Sequence, residues 1–298
     1  MPRFINLAGE LIAPPPYRHT EAIQHGLLFA TDKGRLQGLV DRTLNRVPHL
    51  HFDVVSGHVL LIALFVGSVT TIAPGYEDRG VGSETDIGFW IQVRGGRLGQ
   101  PPRSHWFPAY LFVDSAGAMA IGREVYGYPK HMGHPQRTNP DDADDLEFSL
   151  TTDFFPRYGP TQRPVTATLF AIVRDAGAPP PRAVGGATTA ALAAAWDAVC
   201  GDVTADFGLP YLAMPMIFVK QFRSIENGFD ACYLAAAAVA VRSTRLRSTA
   251  LIVDRLYLQI TPAANIDIAA DLGLVSGARP LLAMRLDHDF DVGFGETL

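Results

Sequence analysis

The feature that most limits what this chain can fold into is a succession of apolar, β-branched runs with almost no helical spacing between them. Runs rich in Val, Ile, Leu and Phe occupy residues 25–31, 50–55, 59–72, 87–94, 106–113, 146–153, 164–174, 212–222, 229–242 and 250–260. Gly, Pro, Asn or Asp separate them, which is the pattern of strands joined by turns. Helical spacing is confined to three places. Thr31 and Asp32 offer a cap ahead of Leu36, Leu39, Val40, Leu44 and Val47, spaced three and four apart. Residues 115–122 and 188–199 suit two further helices. The regular strand–helix alternation of a parallel sheet is missing, so the expected class is α+β and β-rich, a barrel or sandwich with a few flanking helices. Residues 1–20, with Pro14, Pro15 and Pro16, read as an irregular N-terminal arm. The four aspartates within 139–145 read as a solvated turn. No repeat and no linker is evident, so residues 1–298 are expected to form a single domain.

Composition removes several classes of function. With 48% hydrophobic and 18% charged residues the chain is not disordered. A formal net charge of −5 argues against a nucleic-acid partner. The longest apolar runs, 59–66 and 231–241, fall short of the about 20 residues of a membrane helix. The N-terminus lacks the charged-then-apolar order of a signal peptide. Cys200 and Cys232 are too few for a disulfide framework. These features predict a soluble cytoplasmic protein with no membrane partner.

Most sequence motifs of chemistry are absent. Gly80-Val81-Gly82 has neither the third glycine nor the following helix of a dinucleotide fingerprint, and no Gly-Lys-Ser/Thr follows it. No serine sits in a Gly-x-Ser-x-Gly elbow. His131 and His134 lie three apart and His105 could fold nearby, but Pro135 spoils helical presentation and no metal is expected.

Lysine usage is more telling. Of 25 basic residues only Lys33, Lys130 and Lys220 are lysines. Lys130 follows Tyr126-Gly127-Tyr128-Pro129, an aromatic and nearly uncharged setting in which proline fixes the backbone. A lysine on a turn is often no more than a surface charge. In apolar surroundings, however, its charged form is penalised and its pKa falls. At its ordinary pKa of about 10.4 only about one amine in 2,500 is neutral at pH 7; lowering it to about 7 costs roughly 4.6 kcal/mol and frees half. A neutral amine condenses with a ketone, and the resulting iminium is an electron sink. Lys220, in the apolar stretch 214–221, reads either as a snorkelling strand-end cation or as an inward neighbour of Lys130.

The segment Gly122-Arg123-Glu124-Val125-Tyr126-Gly127-Tyr128-Pro129-Lys130-His131-Met132-Gly133-His134-Pro135 closely resembles the active-site stretch of the acetoacetate decarboxylase family, whose pattern is G-R-E-x-x-x-[YF]-P-K-K-x-G-x-P. The strand and helix before it (110–114 and 116–121) are also similar, and fainter likeness runs through Thr31-Asp32, the strand after Gly82 and residues 215–220. That family is itself a standard example of an activated lysine nucleophile. The resemblance implies a closed β-barrel, a homo-oligomer, and a Schiff-base lyase acting on a keto acid or related ketone by decarboxylation, aldol or dehydration chemistry. Lys130 would be the nucleophile, with Asp86 or, in the alternative register, Glu84 orienting substrate or moving protons. His131, Tyr126, Tyr128 and Lys220 would line the substrate pocket. No metal or organic cofactor is implied, because the iminium is the electron sink.

Departures from the family pattern stand beside the match. The second lysine is His131, so burial rather than a neighbouring charge is expected to activate Lys130. The family's early-strand arginine falls on Ala22 and its strand glutamate on apolar residues near Leu61. These changes suit a different ketone chemistry or a larger, less polar substrate. The alternative is a catalytically silent barrel that binds an apolar small molecule in a biosynthetic pathway.

Overall fold

Strands that are apolar on both faces explain the long uninterrupted runs. In the computed structural model, which describes residues 5, 13–184, 189–200 and 213–298, strand β1 (Tyr17–Ala30) leads through helix α1 (Lys33–Arg42) into β2 (Leu50–Thr71), β3 (Gly82–Arg97) and β4 (Arg103–Val113). Asp32 caps α1 by accepting from the Arg35 amide at 2.8 Å. Helix α2 (Ala116–Ile121) and a π-helical turn (Gly122–Tyr126) then deliver β5 (Lys130–Met132). There follow β6 (His134–Arg137), β7 (Phe148–Phe154), β8 (Val165–Arg174), β9 (Arg182–Val184), helix α3 (Thr189–Cys200), β10 (Ala213–Arg223), β11 (Ala231–Val253), β12 (Leu256–Ile260), helix α4 (Ile268–Leu272) and β13 (Leu282–Thr297).

The larger sheet has nine strands among the described residues, in the order β10-β11-β13-β1-β2-β3-β4-β5 with β9 on β11; β10 also meets β4 in parallel at Met216 and Trp106. A four-stranded sheet, β12-β8-β7-β6, packs beside it. Along β2, Val59, Leu61 and Ala63 bury into one apolar cluster with α1 and the smaller sheet, while Leu60, Ile62 and Leu64 bury into a second with Trp106 and Trp196. Burial on both faces is what turns an alternating pattern into a continuous one.

Several boundaries differ from the sequence reading. The arm ends earlier than expected, because Tyr17 to Thr20 already belong to β1; residues 1–4 and 6–12 of it lie outside the described residues. Runs 50–55 and 59–72 form one strand carrying a register shift between Val54 and Val59. Runs 229–242 and the start of 250–260 likewise join as β11. The expected starts at Thr188 and Leu212 lie outside the described residues. Strand β13 was not expected at all. The aspartates of 139–145 are not simply solvated: Asp145 is buried against Arg174, and Asp144 pairs with Arg285. Among the described residues no helix is long and apolar enough to cross a membrane, and no three metal-ligating side chains gather.

Candidate active site

The site is assembled from one local segment and four distant strands. Ser115 caps α2 through its hydroxyl, which accepts from the Ala118 amide at 3.3 Å. The π-helical turn closes at Gly127, whose φ of 86° lies in the left-handed region that glycine tolerates. A side chain there would also place its Cβ 2.5 Å from the Lys220 Cα. The amides of Gly127 and Tyr128 both donate to the Gly122 carbonyl, at 2.9 and 3.0 Å. Pro129 then hands the chain to Lys130, which pairs with Leu111 of β4. The Arg123 guanidinium donates to the Lys130 carbonyl at 3.0 Å. The side chain of Lys130 runs over Gly122, where any Cβ would lie 2.6 Å from the lysine Cδ.

At the end of that stem, Lys130 Nζ lies 3.3 Å from Asp86 Oδ2 and 3.6 Å from Glu84 Oε2, with the lysine residue only 5% exposed. The two acids stand two apart on β3 and so share a face. The sequence left Asp86 and Glu84 as alternatives; the structure brings both to the amine. From β1, His19 places Nε2 3.4 Å from Glu84 Oε1, and its ring stacks on Phe290 of β13 with centroids 4.4 Å apart. The Tyr128 ring centroid is 5.4 Å from Lys130 Nζ. Tyr17, Tyr126, Tyr128, Phe290, Leu64 and Val292 wall a small cavity of about 50 Å³ onto which these charged groups open.

The charges constrain one another. Burial works against the ammonium of Lys130, but Asp86 and Glu84 outweigh it and hold the lysine pKa above its ordinary value. Activation chiefly by burial, the sequence expectation, is therefore corrected: the same fold that buries the amine surrounds it with anions. Burial also opposes the charge on Glu84, yet Lys130 and His19 bring its pKa down to about 2. Asp86 goes the other way, to about 7, raised first by burial and then by the charge of Glu84. Neighbouring carboxylates pushed this far apart form an acid–base pair of the kind active sites use.

Residues 1–153 match the family model described as acetoacetate decarboxylase. The chain belongs to the acetoacetate decarboxylase family. Among solved structures it is similar to acetoacetate decarboxylase from Legionella pneumophila, at 14% identity with a TM-score of 0.63, covering 100% of this chain and 91% of that one. An acetoacetate decarboxylase-like enzyme from Sphingomonas wittichii RW1 matches at 14% identity and TM-score 0.57, over 97% of this chain and 94% of that one. The enduracididine biosynthesis enzyme MppR, complexed with pyruvate, matches at 13% identity and TM-score 0.54, over 97% of this chain and 93% of that one. No curated protein matches the chain significantly.

Against the family pattern, the other expected pocket residues divide. Tyr126 and Tyr128 line the cavity with Lys130. His131 does not: as the next residue of a strand it faces the opposite side, where with His134, Thr152 and Asp153 it lines a different depression. Lys220 is also withdrawn, its amine donating to the Val125 carbonyl at 2.9 Å, so it ties β10 to the loop that carries Lys130. Ala22 is fully buried but does not line the cavity. The lining residues that sequence reasoning missed are chiefly Tyr17, His19 and Phe290. The pairing of His19 with Phe290 across β1 and β13 brings them together, and only the alternation of 286–292 signals that second strand.

Proposed function

We propose that the chain is a Schiff-base-forming lyase acting on a small keto acid or related ketone, with Lys130 as the nucleophile. The observation that carries this reading is the Lys130 amine held between Asp86 and Glu84 at the edge of a small, aromatic-walled cavity. The Met216–Trp106 pairing is read as closing the larger sheet into a barrel around that cavity.

Because its neighbours keep Lys130 protonated, the amine must first give up a proton. Asp86, 3.3 Å away and titrating about pH 7, is the acceptor matched to the task. The neutral amine attacks the carbonyl carbon; a C–N bond forms, the C=O π pair moves to oxygen, and a proton passes from nitrogen to that oxygen. Asp86 returns its proton to the carbinolamine hydroxyl, which leaves as water. The products are a cationic C=N bond at Lys130 and an ionised Asp86. Glu84, ionised throughout, stands beside the iminium and stabilises it. The iminium then withdraws electrons from the adjacent carbon, in decarboxylation, aldol or dehydration chemistry. The cavity gives no support to the larger substrate suggested by the sequence.

The test is borohydride reduction in the presence of a panel of keto acids and simple ketones, followed by peptide mass analysis. The added mass is expected on the peptide bearing Lys130 and is expected to vanish in Lys130→Ala. Labelling of Lys33 or Lys220 instead would overturn the assignment, and a protein that binds panel members yet never forms an adduct would be a silent binder.

A further inference from the structure

We propose that, of the keto acids and ketones the reading above allows, the compound accepted at this site carries no carboxylate: it is an uncharged ketone or aldehyde, which leaves aldol or dehydration chemistry. The inference rests on the reading of Lys130 as the imine-forming residue and concerns what surrounds it. Among the described lining residues the acids are Glu84 and Asp86, the groups able to carry positive charge are Lys130 and His19, and no arginine is present. Both already have acidic partners, His19 Nε2 in Glu84 at 3.4 Å and Lys130 Nζ in Asp86 and Glu84 at 3.3 and 3.6 Å.

The hydroxyl donors on the wall have partners too. Tyr126 donates to the Gly293 carbonyl at 2.9 Å, Tyr17 donates to the Ala13 carbonyl, and the Tyr128 hydroxyl is directed at Met216 Sδ, 3.7 Å away. What remains is apolar: Leu64, Val69, Ile121 and Val292. With a neutral carbonyl compound bound as the iminium, the one cation already stands against two acids, Glu84 and Asp86, both ionised at that stage. A substrate carboxylate would add a further negative charge next to two acids in a cavity of about 50 Å³, where the buried Nδ1 of His19, without a hydrogen-bond partner among the described residues, is the remaining candidate to meet it. Buried charge without a partner is strongly disfavoured, and like charges placed together discriminate against the wrong ligand.

Methyl pyruvate and pyruvate differ by this one charge. Each is presented to the full-length protein with borohydride, and trapping rates at Lys130 are divided by those of a free lysine amine to remove intrinsic reactivity. The wild-type protein is expected to favour methyl pyruvate by at least about tenfold. Glu84→Gln, which removes one negative charge, and Val69→Arg, which supplies a guanidinium on the wall, are each expected to narrow that ratio by improving pyruvate capture. The second variant keeps the test open should the first fail to fold. Equal or better capture of pyruvate by the wild type would overturn this inference while leaving Lys130 as the imine-forming residue. Absence of an adduct from either compound, with no response to either substitution, would overturn both.

Discussion

Arg174 and Lys130 are both cations drawn out of solvent and set among acids, yet their surroundings differ in almost every detail. Arg174 reaches Asp145, Glu147 and Asp254 at 2.8 to 2.9 Å, and those acids accept backbone amides as well, Asp145 from Glu147, Glu147 from Arg174 and Asp254 from Arg255. Lys130 meets its acids at 3.3 and 3.6 Å, and Asp86 Oδ1 has no hydrogen-bond partner among the described residues. One network is satisfied and joins β8 to the 139–145 loop and to the end of β11. The other is left partly unsatisfied beside a cavity. Native folds rarely leave buried polar atoms without partners, so such a shortfall marks where a ligand or a proton is to be handled. Guanidinium suits the first role because it stays charged; an amine suits the second because it can be deprotonated.

That contrast can be broken in four ways. The largest effect is expected from Lys130→Ala, which should abolish imine trapping, whereas Arg174→Ala should leave trapping intact in whatever fraction remains folded. Next is stability: Arg174→Ala should cost about 3–5 kcal/mol in urea unfolding, because it strands buried acids. Lys130→Met at pH 6 should cost less than Arg174→Ala, since Asp86 takes up a proton readily and Glu84 keeps His19 at 3.4 Å. Equal losses would show that the two clusters are the same kind of object. Third, trapping by the wild type should rise with pH through about 7, because only the Asp86 carboxylate can accept the lysine proton and that form prevails above its pKa. Below that point the rate should fall about tenfold per unit, and Asp86→Asn should remove the limb. The smallest effect belongs to His131→Gln, expected to move that limb by less than about 0.5 unit, since the imidazole lies on the far face. A larger shift would restore a role for the residue beside the lysine.

What could be read from the sequence follows how local each feature is. The lysine was legible because residues 115–130 carry its presentation themselves: a cap, a short helix, a glycine turn and a proline. Glu84 and Asp86 were legible only in alternative registers through resemblance, since nothing in one strand says that both acids reach the same amine. His19 was not legible for a physical reason. Register between β1 and β13 shifts between His19 and Ala22, with Glu21 at a φ of 57°. The bulge changes which residues point inward, from Tyr17 and His19 before it to Ala22 and Gln24 after it. Alternation counted back from 22–30 therefore turns His19 the wrong way. Strand β13 was legible in principle, because Leu286, His288, Phe290 and Val292 are buried while the aspartates between them are less so; the acidic spacing disguised it as a polar tail. The polar stretch 242–248 hid the continuity of β11 in the same way.

Gly122 carries a consequence for how such a protein can diverge. With its missing Cβ only 2.6 Å from where the lysine stem passes, nearly any substitution at that position displaces the amine, so the turn and the lysine change together or not at all. The walls are under no such bond. Apart from Tyr126 and Tyr128, which the turn itself supplies, they come from β1, β2, β3 and β13, distant in sequence from the turn. A lineage can therefore preserve one reactive amine and exchange the strand residues it faces, acquiring new substrates through distant strands while the reactive loop remains almost unchanged.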